Sequence, residues 1–179
     1  MQHQDFSSSR LEIKLVQKTL AHLVWPVLND TSLYTYIPED PPPLEKLENR
    51  YAFWEQRISP DKTEYWLNWV VFTKENQRAI GELQAGVHIE SKVASIAYKV
   101  GRAFQGKGYA TEGVTAMIEH LKSNYGVVQI KAWIDTRNQP SMKLVERIGM
   151  TQVEFIEKAD HFKGSDSDEY VYQMDLVSK

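Results

Sequence analysis

Three glycines and a lysine lie close together in a segment that could bind an anion. The segment runs from Gly101 to Gly108 and reads Gly-Arg-Ala-Phe-Gln-Gly-Lys-Gly. It follows an alternating apolar stretch, which predicts a strand, and precedes apolar residues at helical spacing, which predict a helix. Glycine lets the backbone approach a ligand closely, and the free N–H groups of a helix N-terminus attract phosphate. Four hydrogen bonds of about 1.5–3 kcal/mol each could hold a pyrophosphate without a metal.

Two phosphate-binding motifs fit this segment only in part. Gly101 to Lys107 satisfies G-x-x-x-x-G-K, but position 108 is glycine where a P-loop NTPase needs a serine or threonine hydroxyl for magnesium. A P-loop-like NTPase therefore stays a less favoured alternative. For a dinucleotide-binding fingerprint, Thr111 stands at the third glycine position, and no acidic residue ends a neighbouring strand about 20 residues further on. The dinucleotide interpretation is discarded.

A third pattern, Gln-x-x-Gly-x-Ala from Gln105 to Ala110, is accompanied by a second pattern downstream. There a strand-like stretch leads to Asn138-x-x-Ser141 and to a short helical stretch that ends at Gly149. In this order and at this spacing, the two patterns resemble the GNAT superfamily of N-acetyltransferases. The string Gly-Lys-Gly-Tyr-Ala-Thr-Glu and the Asn-x-x-Ser are most similar to its RimJ/RimL-like branch. The resemblance covers about residues 10–176.

The resemblance implies that acetyl-CoA is the cosubstrate. It implies a strand edge that pairs with the pantetheine arm, a loop that binds the pyrophosphate, and an asparagine and a serine near the thiol end. The strand edge would consist of Tyr98, Lys99 and Val100. The loop would consist of Gln105, Gly106, Lys107, Gly108, Tyr109, Ala110 and Thr111. The two residues near the thiol end would be Asn138 and Ser141. Many members of the family place a tyrosine seven residues after that asparagine to protonate the departing thiolate, but here the position is Val145. Ser141 is then the candidate proton donor, with water as the alternative.

A general base for the acceptor amine is the least defined part of the candidate site. Glu82, Gln84 and His88 share one face of the expected strand 78–90, so Glu82 is the catalytic candidate, although that face could simply be solvated. Making a lysine-like amine neutral at pH 7 costs about 4.6 kcal/mol, against about 1 kcal/mol for an α-amine, so an α-amine is the easier acceptor. The histidines lack partners at metal-ligand spacing and the chain has no cysteine, so no metal site is expected.

These residues need a scaffold of mixed α/β type. Alternation predicts a first strand at Leu11–Leu15, and helical spacing predicts a helix disturbed at Pro26 and another from Leu44. Three strands, at residues 64–73, 78–90 and 92–100, should form an antiparallel meander. The residue patterns after position 100 predict a helix at 110–121, a strand at 128–134, a helix at 140–148, and two strands that flank a polar loop at 157–168. The resemblance adds a GNAT-like, mostly antiparallel sheet of about six to seven strands flanked by helices.

The composition of the chain excludes several classes of binding partner. The 179 residues include 21 Lys and Arg against 24 Asp and Glu, a net charge of −3, so nucleic acid is not an expected partner. The longest unbroken apolar runs have four residues, far below the roughly 20 that span a bilayer, so no membrane partner is expected.

We expect a flexible N-terminus at residues 1–9, a single acetyltransferase domain at 10–179, a cytoplasmic location, and a monomer or homodimer. The expected partner is an amine acceptor, either a peptide or protein N-terminus or a small metabolite. A non-catalytic coenzyme A-binding module is the alternative.

Overall fold

Eight β-strands and four α-helices make up the computed structural model, which describes residues 3–176. The strands are β1 (Phe6–Ser7), β2 (Leu11–Leu15), β3 (Glu64–Thr73), β4 (Ala79–His88), β5 (Val93–Val100), β6 (Gln129–Asp135), β7 (Thr151–Phe162) and β8 (Ser165–Asp175). The helices are α1 (Ala21–Leu28), α2 (Leu44–Trp54), α3 (Tyr109–Tyr125) and α4 (Gln139–Arg147), and short 3-10 turns lie at Lys18–Leu20, Thr31–Tyr34 and Arg102–Phe104. None of the helices formed by residues 3–176 is long and apolar enough to cross a membrane.

All eight strands belong to one sheet, in the order β1-β2-β3-β4-β5-β6-β8-β7. Neighbouring strands are antiparallel except β5 and β6, which run parallel because α3 crosses over between them. The expected mixed α/β fold and its antiparallel meander are confirmed. The sheet has eight strands rather than six or seven because the short β1 adds an edge strand, with Phe6 paired to Ile13.

The parallel pair β5 and β6 separates soon after it begins. Only Val93 to Ser95 of β5 pair with β6, whereas β5 continues to Val100 along β4. From Ile96 onward, the edge of β5 that faces β6 therefore has no partner strand. This wedge-shaped opening lies beside the glycine loop, because that loop follows directly on β5.

Alternation along the strands sorts their side chains onto two faces of the sheet. One face, with Leu83 and Ile96 from the central strands, packs against α3 and α4. The opposite face, with Val70 and Phe72, packs against α1 and α2. Further along this second face, on β6, Trp133 is 46% exposed. The two helices thus cover only part of the second face and leave room for a groove beside them.

The N-terminal segment is bound to the sheet and is not a free tail. The carboxylate of Asp5 accepts a hydrogen bond from the backbone N–H of Leu15 (2.8 Å), and Ser8 Oγ donates to Glu112 in α3 (2.6 Å). The expected flexible segment 1–9 is therefore, from Asp5 onward, part of the fold. Its polar residues find partners in β2 and α3, which composition alone does not indicate. Met1 and Gln2 lie outside the described residues.

The polar loop expected at residues 157–168 is instead a continuous β-hairpin. Strands β7 and β8 pair through this region, and only Lys163 and Gly164 separate them. Both residues have positive φ angles, of 51° and 78°, as a two-residue type I′ turn requires. Register shifts between Gln152 and Glu154 and between Ile156 and Asp160 interrupt the apolar alternation, so the sequence reads as a loop.

Candidate active site

The opening between β5 and β6 leads into a cleft of about 550 Å³, which we call the wedge cleft. Its walls come from the end of β5, the glycine loop, the first turn of α3, one side of α4, and the loop after α1. All but one of the residues assigned to cofactor binding from the sequence line it: Tyr98, Lys99, Val100, Gln105, Gly106, Gly108, Tyr109, Ala110, Thr111, Asn138 and Ser141. The remaining lining residues had no sequence assignment: Ser32, Leu33, Tyr36, Phe104, Pro140, Lys143, Leu144 and Arg147.

The glycine loop presents open backbone groups at the start of α3. Gly106 and Gly108 have positive φ angles of 73° and 80°, which glycine adopts without side-chain strain. Gly108 is the N-cap of α3 and has no side chain to cap it. Since the first N–H groups of a helix have no partner within the helix, they are available here to an anion in the cleft.

Lys107 is the one assigned residue that does not line the wedge cleft. Its ammonium group turns back and donates to the carbonyl of Ala103 (3.0 Å). The lysine of a P-loop reaches the phosphates instead. The orientation of Lys107 therefore fits a structural role in the loop.

Arg10, which directly precedes β2, supports the glycine loop. Its guanidinium lies 4.4 Å from the centre of the Tyr109 ring, donates to the carbonyl of Lys107 (3.0 Å) and pairs with Glu112 (2.7 Å). Gln105 fastens the other side of the loop, because its side-chain amide donates to the carbonyl of Val100 (2.9 Å). Sequence reasoning missed Arg10, since nothing local connects it with a loop about 97 residues away.

Tyr98 and Ser141 meet across the wedge. The two hydroxyl oxygens are 2.7 Å apart, one on β5 and the other in the first turn of α4. The side-chain oxygen of Asn138, the N-cap of α4, accepts from the backbone N–H of Ser141 (3.2 Å) and so holds this turn in place. Burial raises the pKa of Tyr98, although its hydrogen bond with Ser141 acts in the opposite direction. The phenol is therefore protonated at neutral pH.

The position that holds a tyrosine in many relatives is part of the core here. Val145 is fully buried among the side chains that α3 and α4 pack against the sheet. A phenol is nevertheless present in the cleft, because Tyr98 supplies one from β5. Sequence reasoning assigned only the backbone of Tyr98, and its contact with Ser141 is a finding of the structure.

Glu82 does not line the wedge cleft, and its carboxylate is not solvated. The residue is 4% exposed, accepts a hydrogen bond from the hydroxyl of Tyr51, and lies 4.0 Å from the ammonium group of Lys99. Burial, with the charge of Glu82 as the second cause, raises the pKa of Tyr34 to about 12 and raises the pKa of Tyr51 as well. Among residues 3–176, the contact that connects Glu82 to the cleft is therefore the one with Lys99, which does line it.

A second concave site, of about 450 Å³, lies on the face of the sheet beside α2, and we call it the tryptophan groove. Its lining consists of Trp54, Glu64, Trp66, Asn68, Gln84, Ala85, Gly86, Ser95, Ile96, Ala97 and Trp133. Of the three residues proposed to share a face of β4, only Gln84 lines it. The ring nitrogen Nδ1 of His88 accepts instead from the backbone N–H of Ser91 (3.1 Å) in the following turn.

Metal ligands are not gathered anywhere in the described part of the chain. Among residues 3–176, no group of three or more histidine, aspartate or glutamate side chains could hold a metal ion.

Comparisons with known proteins identify the family of the chain. The family model described as an acetyltransferase (GNAT) domain matches residues 10–151. A Bacillus licheniformis protein described as the uncharacterized N-acetyltransferase p20 is 27% identical over 105 residues, which are 58% of this chain and 59% of that protein. The chain therefore spans less than two thirds of the length of this relative.

Two solved structures show the same fold. RimL, a ribosomal-protein alpha-N-acetyltransferase in complex with coenzyme A, has a TM-score of 0.85 at 17% identity, and the match covers 97% of this chain and 98% of RimL. Spermidine N-acetyltransferase from Vibrio cholerae, in complex with coenzyme A and spermine, has a TM-score of 0.80 at 17% identity, with 93% and 95% of the two chains covered. Because the family model matches most of its length, the chain belongs to the GNAT acetyltransferase family.

Proposed function

We propose that the protein is an acetyl-CoA-dependent N-acetyltransferase that moves the acetyl group directly to a primary amine, with an α-amine as the favoured acceptor. The observation that carries the proposal is the Tyr98 and Ser141 pair inside the same cleft as the glycine loop. Acetyl transfer from a thioester needs both features, because the pyrophosphate needs an anion site and the departing sulfur needs a proton.

The wedge cleft fits coenzyme A by shape and by charge. Backbone N–H groups at the start of α3 would bind the pyrophosphate, and Lys143 and Arg147 add positive charge to the lining. The unpaired edge of β5 from Ile96 to Val100 would hydrogen-bond the pantetheine amides as a neighbouring strand would. Asn138, at the start of α4, would lie near the thiol end.

Bound there, acetyl-CoA supplies the thioester, and residues of this chain orient it and supply a proton. A backbone N–H near Val100 would polarise the carbonyl. The amine nitrogen attacks the carbonyl carbon, the C–N bond forms as the C–S bond breaks, and the proton lost by nitrogen passes to water. Ser141 donates its hydroxyl proton to the departing sulfur. Tyr98, 2.7 Å away, passes its phenol proton to the serine oxygen, and water then reprotonates the phenol.

An α-amine is the favoured acceptor because the cleft offers no side chain to deprotonate a more basic amine. None of the described residues that line the wedge cleft is aspartate, glutamate or histidine. The difference in neutralisation cost between a lysine-like amine and an α-amine is about 3.6 kcal/mol at pH 7, or about 400-fold in reactive nucleophile. We assign Glu82 a positioning role through Lys99. The cytoplasmic location and the oligomeric state stay predictions.

The proposal is tested by incubating the protein with acetyl-CoA, EDTA and a panel of amines and peptides, and by measuring products by mass spectrometry. We expect acetylated amine and free coenzyme A thiol in equal amounts. Two matched peptides, one with a free N-terminus and an acetylated lysine and one with the reverse, should differ in kcat/KM below pH 8 in favour of the first. Coenzyme A binding without acetylated product would indicate a binding module, and magnesium-dependent ATP hydrolysis would indicate an NTPase.

A further inference from the structure

The tryptophan groove combines aromatic rings with a single carboxylate. Trp54 comes from α2, Trp66 from β3 and Trp133 from β6, and all three rings line the groove. Among the described residues that line it, Glu64 is the only one with a charged side chain. The other polar lining groups are the side chains of Asn68, Gln84 and Ser95. Aromatic faces and a carboxylate together attract an organic cation.

The carboxylate of Glu64 is held in the groove. Its Oε2 atom accepts a hydrogen bond from the indole N–H of Trp66 (3.1 Å). The same oxygen would lie 3.5 Å from a Cβ built at Gly86, so the carboxylate extends over β4. Glycine at position 86 thus leaves the floor of the groove open beneath this group.

A wall of the groove already contacts a cation of the chain itself. The guanidinium of Arg50 lies 5.6 Å from the centre of the Trp54 ring and pairs with Glu39 (3.1 Å). This arrangement, an aromatic ring with a carboxylate close by, has the same chemistry as Trp66 with Glu64. The latter pair has no positively charged partner in the described groove lining.

The groove and the wedge cleft are connected along β5. Ala97 lines the groove, and the next two residues, Tyr98 and Lys99, line the cleft, so the two sites adjoin along this strand. They meet where β5 leaves β6, next to the residues that would act on the thioester. An acceptor amine that reaches the thioester from this face would leave the rest of its chain in the groove.

We infer that the tryptophan groove binds a second cationic group of the acceptor. The preferred substrate is then a primary amine that also carries an ammonium or guanidinium group several bonds from the reacting nitrogen; this inference rests on the proposed function. The second cation could belong to a basic side chain close to a peptide N-terminus or to the far end of a diamine or polyamine. Both sources present the same chemistry to Glu64 and the three tryptophans.

The experiment compares acceptors that differ only in the charge of the distal group. One pair is 1,4-diaminobutane and n-butylamine, and the other is a peptide with lysine at its second position and the same peptide with acetyl-lysine there. We expect kcat/KM to be at least about 10-fold higher for the charged member of the pair that reacts. The pair that shows this preference identifies the source of the cation.

Three variants test whether the preference for a charged acceptor depends on the groove. Glu64→Gln keeps an oxygen for the Trp66 N–H, and Trp133→Leu changes a half-exposed side chain, so both variants should fold. Each should remove most of the advantage of the charged acceptor, so that the loss in kcat/KM is much larger for the charged acceptor than for the neutral one. Glu90→Gln, which removes an exposed carboxylate in the β4–β5 turn, should change neither. Equal rates for charged and neutral acceptors, or an equal loss for both in Glu64→Gln, would overturn the inference.

A binding measurement without acetyl-CoA separates the groove from the reaction. Tryptophan fluorescence is titrated with 1,4-diaminobutane in the wild type and in Glu64→Gln. Saturable binding that weakens about 10-fold in the variant supports the cation site even if no acceptor is acetylated, in which case the proposed function alone fails. The absence of saturable binding to the wild type would overturn the cation site.

Discussion

The wedge cleft and the tryptophan groove are built in opposite ways. The pyrophosphate site that we propose in the cleft comes mainly from one continuous segment, Gln105 to Thr111, and uses backbone N–H groups. The groove takes side chains from α2, β3, β4, β5 and β6, between Trp54 and Trp133. A site made of contiguous backbone is visible as a motif, whereas a site made of dispersed side chains depends on the folded sheet.

The largest expected effect lies where the two sites meet, at Ser141 and Tyr98. Ser141→Ala should lower kcat by about 100-fold with little change in coenzyme affinity, because a general acid is typically worth 10²- to 10⁴-fold. Tyr98→Phe removes only the hydroxyl that supports the serine and should cost less, about 10-fold. Steady-state kinetics and calorimetry give both quantities. A loss below about twofold in Ser141→Ala would leave water as the proton donor.

A substitution in the glycine loop should act on the cleft alone. Gly108→Val places a branched side chain at a φ of 80° and over the start of α3, so the dissociation constant of acetyl-CoA in EDTA should rise at least about 10-fold. The matched control is Gly126→Val at the other end of α3, where φ is 66° and a Cβ would meet no described atom within 4 Å. If both variants bound acetyl-CoA equally, the loop would not be the pyrophosphate site.

A lysine in the β7–β8 turn holds the loop that follows α1, which forms part of the wedge cleft. The ammonium group of Lys163 donates to the carbonyls of Tyr34, Ile37 (3.2 Å) and Glu39 (3.1 Å), and Tyr36 lines the wedge cleft. Lys163→Met should release this loop, raise the KM values about 3- to 10-fold, and speed amide hydrogen exchange at residues 34–39.

The control for this variant is on the same hairpin. Lys158→Met has a matching φ of 50° and removes only an exposed ion pair with Asp166 (3.6 Å). We expect wild-type KM values and wild-type exchange rates from it. Unchanged exchange at residues 34–39 in Lys163→Met would show that the loop is held by other contacts.

The smallest expected effect concerns Glu112, which pairs with Arg10 beside the glycine loop. Burial would raise the pKa of Glu112, but hydrogen bonds from Ser8 and Arg10, with the charge of Arg10, hold that pKa below its usual value. A lowered native pKa stabilises the fold above the pKa of the unfolded state, and this stability is lost as pH falls through the native value. Glu112→Gln should therefore reduce the free energy of unfolding by about 1–2 kcal/mol at pH 7 and by less at acidic pH.

Urea titrations at several pH values measure this difference. Glu119→Gln on the exposed side of α3 is the control and should differ from the wild type by less than about 0.5 kcal/mol at each pH. A constant difference between Glu112→Gln and the wild type from pH 7 to acidic pH would mean that the charge of Glu112 is not responsible.

The fold and the cleft were largely predictable because their signals are local. Alternation in β3, β4 and β5 predicted the meander, and the patterns at Gln105–Ala110 and Asn138–Ser141 both lie in the cleft lining, apart from Lys107. Membership in the GNAT family, inferred from those two patterns, is confirmed.

Contacts between distant parts of the chain could not be predicted. Tyr98 and Ser141 are 43 residues apart, and Lys163 is 129 residues from Tyr34. Alternation correctly placed Glu82 opposite Leu83 on β4, but it does not reveal that Tyr51 from α2 covers that carboxylate. Burial by a helix from elsewhere in the chain decides whether a charged strand residue is solvated, and strand periodicity carries no information about it.

The most direct test of whether coenzyme and acceptor meet at the wedge is the affinity of a conjugate of the two. In this compound, the sulfur of coenzyme A is joined through a –CH2–CO– group to one nitrogen of 1,4-diaminobutane. If the wedge cleft and the tryptophan groove form one continuous site, calorimetry should show the conjugate binding at least about 100-fold more tightly than coenzyme A, with most of the gain lost in Glu64→Gln. A conjugate that binds no better than coenzyme A would contradict a continuous site.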